Sequence, residues 1–317
     1  MLRGLRAMAN VSTVEGWLTL PDSHKLYTKT WKAASERPRA RLAVIHGFSD
    51  HCNQYGILFP TLAQQGIAVY SFDQRGWGRS VQEPAQKGRT GPTRQVMDDI
   101  TTFIRSLPED ETHVPLFMLG HSMGGAEVLH YAATGPKDVL SGIRGFLCES
   151  PFIALHPAGR PSPITVTLGR LAGRVLPNRQ MVNKLDATKV SRDPEVCKDY
   201  EADPLCHDTG TLEGLASMLD RAHELETGKV VLREGVGEGV GHGTADQICE
   251  YQACRNWYDS TEVKDKEMRV YEGWYHKLHA EPGDDKVRFA GDVSKWILER
   301  CDPITEDRAA EEAKPKL

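Results

Sequence analysis

Apolar and polar residues alternate along 14–20 and again along 25–31, on either side of Pro-Asp-Ser-His. A period of two marks strands with one face buried, and the short polar break makes the pair a hairpin. The pattern then changes. Residues 42–45, 67–72, 116–119 and 143–148 are short, nearly continuous apolar runs, as expected of strands buried on both faces. Between them, 93–107 and 125–133 read as helices, the second stopped by Gly135-Pro136. Strands alternating with helices predict a mostly parallel central sheet with helices on both faces. Ligands bind such sheets beyond the carboxyl ends of the strands. Each apolar run here feeds a loop at that end: HGFSDH, DQRGWGRS, GHSMGG and ESP.

The rhythm breaks from Pro151 to about Leu225. After Pro157, Pro161 and Pro163, Ile164, Leu168, Leu171, Ala172, Val175 and Leu176 recur at helical spacing, with Arg170 and Arg174 beside them. The segment reads as a helical cap inserted over the sheet. Its apolar stripe either packs on the core or, in part, faces lipid. The predicted organisation is therefore a first core part over 1–150, a cap over 151–225, a second core part over 226–303 and a charged tail over 304–317. The tail is rich in charged and small residues and reads as a frayed helix or disorder.

Composition narrows the classes. The 317 residues carry a formal charge of −5 and 39% apolar residues, enough for one large core and no field for nucleic acid. The two arginines near the start precede no apolar run, so no secretory signal is read. No stretch approaches the roughly 18 apolar residues of a spanning helix. The seven cysteines are scattered, without a CxxC pair. That argues against a zinc cage or a disulfide framework and for a reducing, cytoplasmic setting.

The chemistry centres on Gly120-His121-Ser122-Met123-Gly124. It lies between a strand-like run and a helix-like one, where a serine on a tight, strained turn needs small neighbours. A serine hydroxyl needs a base, and the base needs an orienting carboxylate. His276 follows a strand-like run and is the favoured base, with His279 as its rival. Asp246, 30 residues earlier, is the favoured acid over Asp203, Asp208 and Asp220, which fall in or near the cap. Two backbone donors are required for the oxyanion. They are expected from Met123, directly after the nucleophile, and from Phe48, in the turn after Gly47. Asp73 is expected to tie down its own loop.

With HGTADQIC and YHKLHAE added, these motifs resemble the monoacylglycerol lipases of the serine α/β-hydrolase superfamily, with a fungal character in the cap. The resemblance runs over nearly all of 14–298. It implies the α/β-hydrolase fold, a lidded acyl channel and hydrolysis of monoacylglycerol to fatty acid and glycerol without a cofactor or metal. It also implies Ser122, Asp246 and His276 as the triad and Cys249 near the site. The partner implied is a small lipid, with peripheral contact to membranes or lipid droplets through the cap. Lysophospholipases and some esterases share these motifs, so lysophospholipase, general carboxylesterase or aminopeptidase activity is the alternative. One departure matters. The lead-in to Asp246 is Arg-Glu-Gly-Val-Gly-Glu-Gly-Val-Gly over 233–241, a poor strand. It predicts that 230–232 slides into the sheet instead, or that a segment is missing. Either way it predicts low stability and low turnover, and at the extreme a non-catalytic scaffold.

Overall fold

A computed structural model describes residues 11–111, 113–232 and 237–301. The expected readings of 304–317 and of 233–236 lie outside the described residues. In chain order the elements are β1 (Thr13–Thr19), β2 (Lys25–Trp31), β3 (Ala40–Ile45), α1 (Leu58–Gln64), β4 (Ile67–Phe72), α2 (Thr93–Arg105), β5 (Leu116–His121), α3 (Met123–Thr134), α4 (Lys137–Leu140) and β6 (Ile143–Glu149). They continue with α5 (Pro163–Val175), β7 (Gln180–Val182), α6 (Pro194–Ala202), β8 (Thr209–Thr211), α7 (Leu212–Glu226), β9 (Gly237–Gly243), α8 (Tyr251–Ser260), β10 (Lys266–Tyr271) and α9 (Asp285–Leu298).

Eight strands form one sheet in the order β1-β2-β4-β3-β5-β6-β9-β10. The predicted hairpin pairs Thr13 with Trp31 through Thr19 with Lys25, antiparallel. β2 also joins β4 antiparallel, and every pairing from β4 across to β10 is parallel. All residues of β3, β4 and β5 are buried, which is why these strands read as unbroken apolar runs. One core face gathers Ile100, Phe103, Val128, Leu129, Leu225 and Trp257 from α2, α3, α7 and α8. The other gathers Leu58, Leu62, Phe289, Val293 and Trp296 from α1 and α9.

The expectation of a defective strand before Asp246 is corrected. Gly237–Gly243 is a full strand inside the sheet, in register with β6 from Gly145↔Gly237 to Glu149↔Gly241 and with β10 from Lys266↔Glu238 to Tyr271↔Gly243. Residues 230–232 stay outside the sheet. The reason is period two. Glu238, Val240 and His242 share one buried face. Gly237 and Gly239 share the other, and Trp296 of α9 fills the space they leave. A Cβ on Gly239 would sit 2.9 Å from Trp296 Cε2, and one on Gly145 of β6 would sit 2.8 Å from Trp296 Cη2. The burial that a strand's own side chains usually supply comes here from Trp296, more than 50 residues later. A cavity of about 30 Å³, room for about one water, remains against Gly239, Gly241 and Phe289. On the opposite face, burial pushes the Glu238 carboxyl up to about 7, against the pull of Lys266 and Thr261.

Between β6 and β9 the chain leaves the sheet. β7 and β8 pair with each other alone. α7 lies on α2 and α3 and is fastened there by a buried ion pair, Arg221 Nη2 to Glu127 Oε1 at 2.9 Å. α5 packs on α7, and Gly173 is its one buried residue. The reading of the α5 stripe as core is overturned: Ile164, Leu168, Leu171 and Val175 are 73%, 60%, 51% and 78% exposed. No helix among the described residues is long and apolar enough to cross a membrane, and Cys52, Cys148, Cys197, Cys206, Cys249 and Cys254 are free thiols.

Candidate active site

Ser122 stands between the end of β5 and the start of α3, at φ 53° and ψ −118°. A non-glycine residue is strained there and persists only when its surroundings hold it. They do so closely. Ser122 N donates to Glu149 O at 2.9 Å, and Ser122 O accepts from Phe152 N at 2.9 Å. The turn needs its glycines: a Cβ on Gly120 would lie 2.1 Å from Gly124 O, and one on Gly124 would lie 2.2 Å from Ile45 O. The result is a serine at the mouth of a helix whose first N–H groups have no intrahelical acceptor.

β9 ends at Gly243 and turns into Thr244-Ala245-Asp246. β10 ends at Tyr271 and turns through Gly273 to His276. The two turns are laced together. Thr244 N donates to Tyr271 O, Ala245 N to Trp274 O, and Gly273 N to Thr244 Oγ1, at 2.8–3.0 Å. Gly243 permits this approach, since a Cβ there would lie 2.3 Å from Trp274 O. The lacing brings His276 Nδ1 to 2.7 Å from Asp246 Oδ2, both residues buried. The other oxygen, Oδ1, accepts from Ile248 N at 2.8 Å and Cys249 N at 3.0 Å. Burial pushes the Asp246 carboxyl up. The His276 charge and hydrogen bond, with help from His242 and Ile248 N, outweigh it and hold the pKa below the ordinary value. Asp246 is therefore an ionised acceptor that fixes the proton on His276 Nδ1 and leaves Nε2 open.

Cys249 links this pair to the serine. Its Sγ lies 3.9 Å from Ser122 Oγ, and the polar atoms of Asp246, Cys249 and His276 lie within 4.8 Å of one another. Burial and the Asp246 charge push the Cys249 thiol well above its ordinary value, so it stays protonated. On the facing side, a Cβ on Gly47 would touch Ser122 Cβ at 3.2 Å, so the turn carrying Phe48 runs against the serine. Its shape is fixed from behind: Gln74 N donates to His46 Nε2, and Gln74 Nε2 to His46 O, both at 2.8 Å. Asp73 accepts from Arg79 N at 2.7 Å in its own loop and from Cys52 N at 2.9 Å in the neighbouring one.

The rival residues go elsewhere. His279 Nδ1 lies 2.7 and 2.8 Å from the two oxygens of Glu149, and Tyr55 stacks on its ring. Asp203 meets His51 Nε2 at 2.9 Å, Asp208 N donates to Ser49 Oγ, and Asp220 pairs with Arg170. The sequence reading missed Glu149, the buried partner of His279 that also stands 3.7 Å from His121. It also missed a buried ion pair between Lys277 and Asp50. The available signal was a charged residue placed directly beside a site motif at a strand's carboxyl end, in ESP, HGFSD and YHK.

Residues 36–283 match the family described as serine aminopeptidase, S33. The chain belongs to this family. A monoacylglycerol lipase of Mycolicibacterium smegmatis is 30% identical over 82% of this chain and 89% of its own. A monoglyceride lipase of Rattus norvegicus is 29% identical over 88% of both chains. In fold, the chain is similar to a soluble variant of monoglyceride lipase from Saccharomyces cerevisiae, with a TM-score of 0.83 over 95% of this chain and 99% of that one at 22% identity. The α/β-hydrolase fold and membership among serine hydrolases stand on these likenesses. The scaffold alternative, which rested on a failed strand, has lost its ground.

Proposed function

We propose that this chain hydrolyses the ester bond of monoacylglycerols to fatty acid and glycerol, through an acyl-enzyme on Ser122. The observation that carries the reading is the strained Ser122 beside the buried, hydrogen-bonded Asp246–His276 pair. The similarity to monoacylglycerol lipases points to the monoacylglycerol as substrate. In this reading His276 Nε2 takes the Ser122 proton as Oγ attacks the ester carbonyl. Asp246 holds the imidazole and offsets its positive charge. The N–H groups of Phe48 and Met123 receive the oxyanion. The glycerol oxygen leaves with the proton from His276. Water then repeats the attack and releases the acid. Residues 151–225 act as the cap over the site, with α7 as its base.

The test is a panel of monoacylglycerols, lysophospholipids, triacylglycerols and aminoacyl amides, compared by kcat/KM. Monoacylglycerols are expected to lead. Faster cleavage of an aminoacyl amide would overturn the reading, and a lysophospholipid in first place would move it to lysophospholipase.

The cap also supplies a route to the substrate. Ile164, Leu168, Leu171 and Val175 follow one stripe of a 13-residue helix, about 20 Å long, and all are exposed. An apolar stripe flanked by Arg170 and Arg174 suits a helix lying in a bilayer or droplet interface. The enzyme would then work in the cytoplasm, in peripheral contact with lipid. Leu168→Asp with Leu171→Asp is expected to weaken binding to phosphatidylcholine vesicles about a hundredfold, since each buried leucine contributes about 1.5–3 kcal/mol. Hydrolysis of a soluble short-chain ester should stay within about twofold. Unchanged vesicle binding would remove the interface role from α5.

A further inference from the structure

The turn after β3 and the turn after β10 are joined by a contact that the hydrolytic steps do not use. Lys277 follows His276, and Asp50 lies two residues beyond Phe48. Lys277 Nζ stands 3.3 Å from Asp50 Oδ1, with the two side chains 5% and 1% exposed. The ammonium also lies over the Tyr200 ring of α6, 5.0 Å from its centroid. Lys277 N donates to Val190 O at 2.8 Å. The same stretch of the β3 turn reaches the region between β6 and β9 twice more. His51 Nε2 and Gln54 Nε2 both meet Asp203 Oδ2, at 2.9 and 2.6 Å. Asp208 N donates to Ser49 Oγ at 2.8 Å.

Two charges this deeply buried carry a desolvation penalty that their attraction repays only in good geometry. Neither is fully satisfied. Asp50 Oδ2 and Lys277 Nζ are buried without a well-aligned hydrogen bond. An apolar pair would fill the same space without that cost. What a charge pair adds is registry, because it has one arrangement in which both charges are compensated.

We propose that the Asp50–Lys277 pair is a positioning device. It fixes the turn carrying the oxyanion donor Phe48 against the turn carrying the base His276, and α6 is docked on both through Tyr200. Lys277 is then a positioning residue for the hydrolysis, acting through its neighbour. The inference rests on the proposed roles of Ser122, His276 and Phe48.

The deciding variant is the double substitution Asp50→Asn with Lys277→Met. It removes both charges while keeping shape, and so leaves no orphaned buried ion. Its melting temperature is expected within about 3 °C of the parent. Its kcat on a soluble short-chain ester, and its rate of phosphonylation by a fluorophosphonate, are expected to fall about 10–100-fold. A displacement of about 1 Å between reacting groups costs that order. KM should stay within about twofold, and Lys277→Arg should retain most of the rate. A double variant that matches the parent in both rates, or that raises KM with kcat intact, would overturn the inference. A parent chain that the fluorophosphonate does not label would instead defeat the functional reading on which it rests.

Discussion

Ser122→Ala is expected to abolish labelling by a fluorophosphonate and to lower kcat by about six orders of magnitude. Asp246→Asn should lower it by about four. The serine is the group in the site with the strained backbone, the helix N-terminus and the glycine-lined turn around it. Cys249 cannot take its place 3.9 Å away, because burial holds the thiol protonated. Cys249→Ala should therefore keep labelling on Ser122. The asparagine effect follows from the acid's two contacts. One oxygen of Asp246 is held by Ile248 N and Cys249 N, and the other accepts from His276 Nδ1. An asparagine keeps its single oxygen on the two backbone donors and turns its NH2 toward His276. The ring must then accept at Nδ1 and carry its proton on Nε2, where a base cannot have it. An adduct mapped to another serine, or an asparagine variant within tenfold of the parent, would overturn the assignment.

Much of this was legible in the chain. Runs of apolar residues ending in glycine-rich loops mark inner parallel strands, because both faces of such strands are buried and the backbone must turn sharply where ligands bind. The chain order of Ser122, Asp246 and His276, with strand-like runs before Ser122 and His276, singled out an acid and a base whose side chains stand 2.7 Å apart. What was not legible is what distant side chains contribute. Sequence periodicity counts a strand's own apolar residues and sees only Val236 and Val240 before Asp246. It does not see Trp296 arriving from α9. The α5 stripe failed in the opposite direction. Helical spacing shows that four apolar residues share a face and is silent on what covers that face. Lys277 and Asp50 each look like surface charges, and only the meeting of two turns buries them.

Trp296→Ala is expected to destabilise the chain by about 3–5 kcal/mol, a large part of the roughly 5–15 kcal/mol that holds a domain. The indole is 3% exposed. It fills the face that Gly145, Gly237 and Gly239 leave empty, stands edge-on to Phe117 at 6.0 Å and lies under the Arg300 guanidinium at 4.2 Å. Removing it uncovers two adjacent inner strands at once, where Gly145, Gly237 and Gly239 have no side chain to fill the gap. The melting temperature should fall by about 5–15 °C. The converse substitution tests the same slot from the other side. In Gly239→Val the new Cβ begins 2.9 Å from the ring, so overpacking should cost about 1–3 kcal/mol. Because valine would occupy space that the indole vacates, the double variant is expected to be more stable than Trp296→Ala alone. The two costs should then fail to add by about 1 kcal/mol or more. Calorimetry on the four proteins decides it. A Trp296→Ala chain that melts within about 2 °C of the parent, or a double variant whose loss equals the sum of the singles, would mean that β9 is held by something other than this indole.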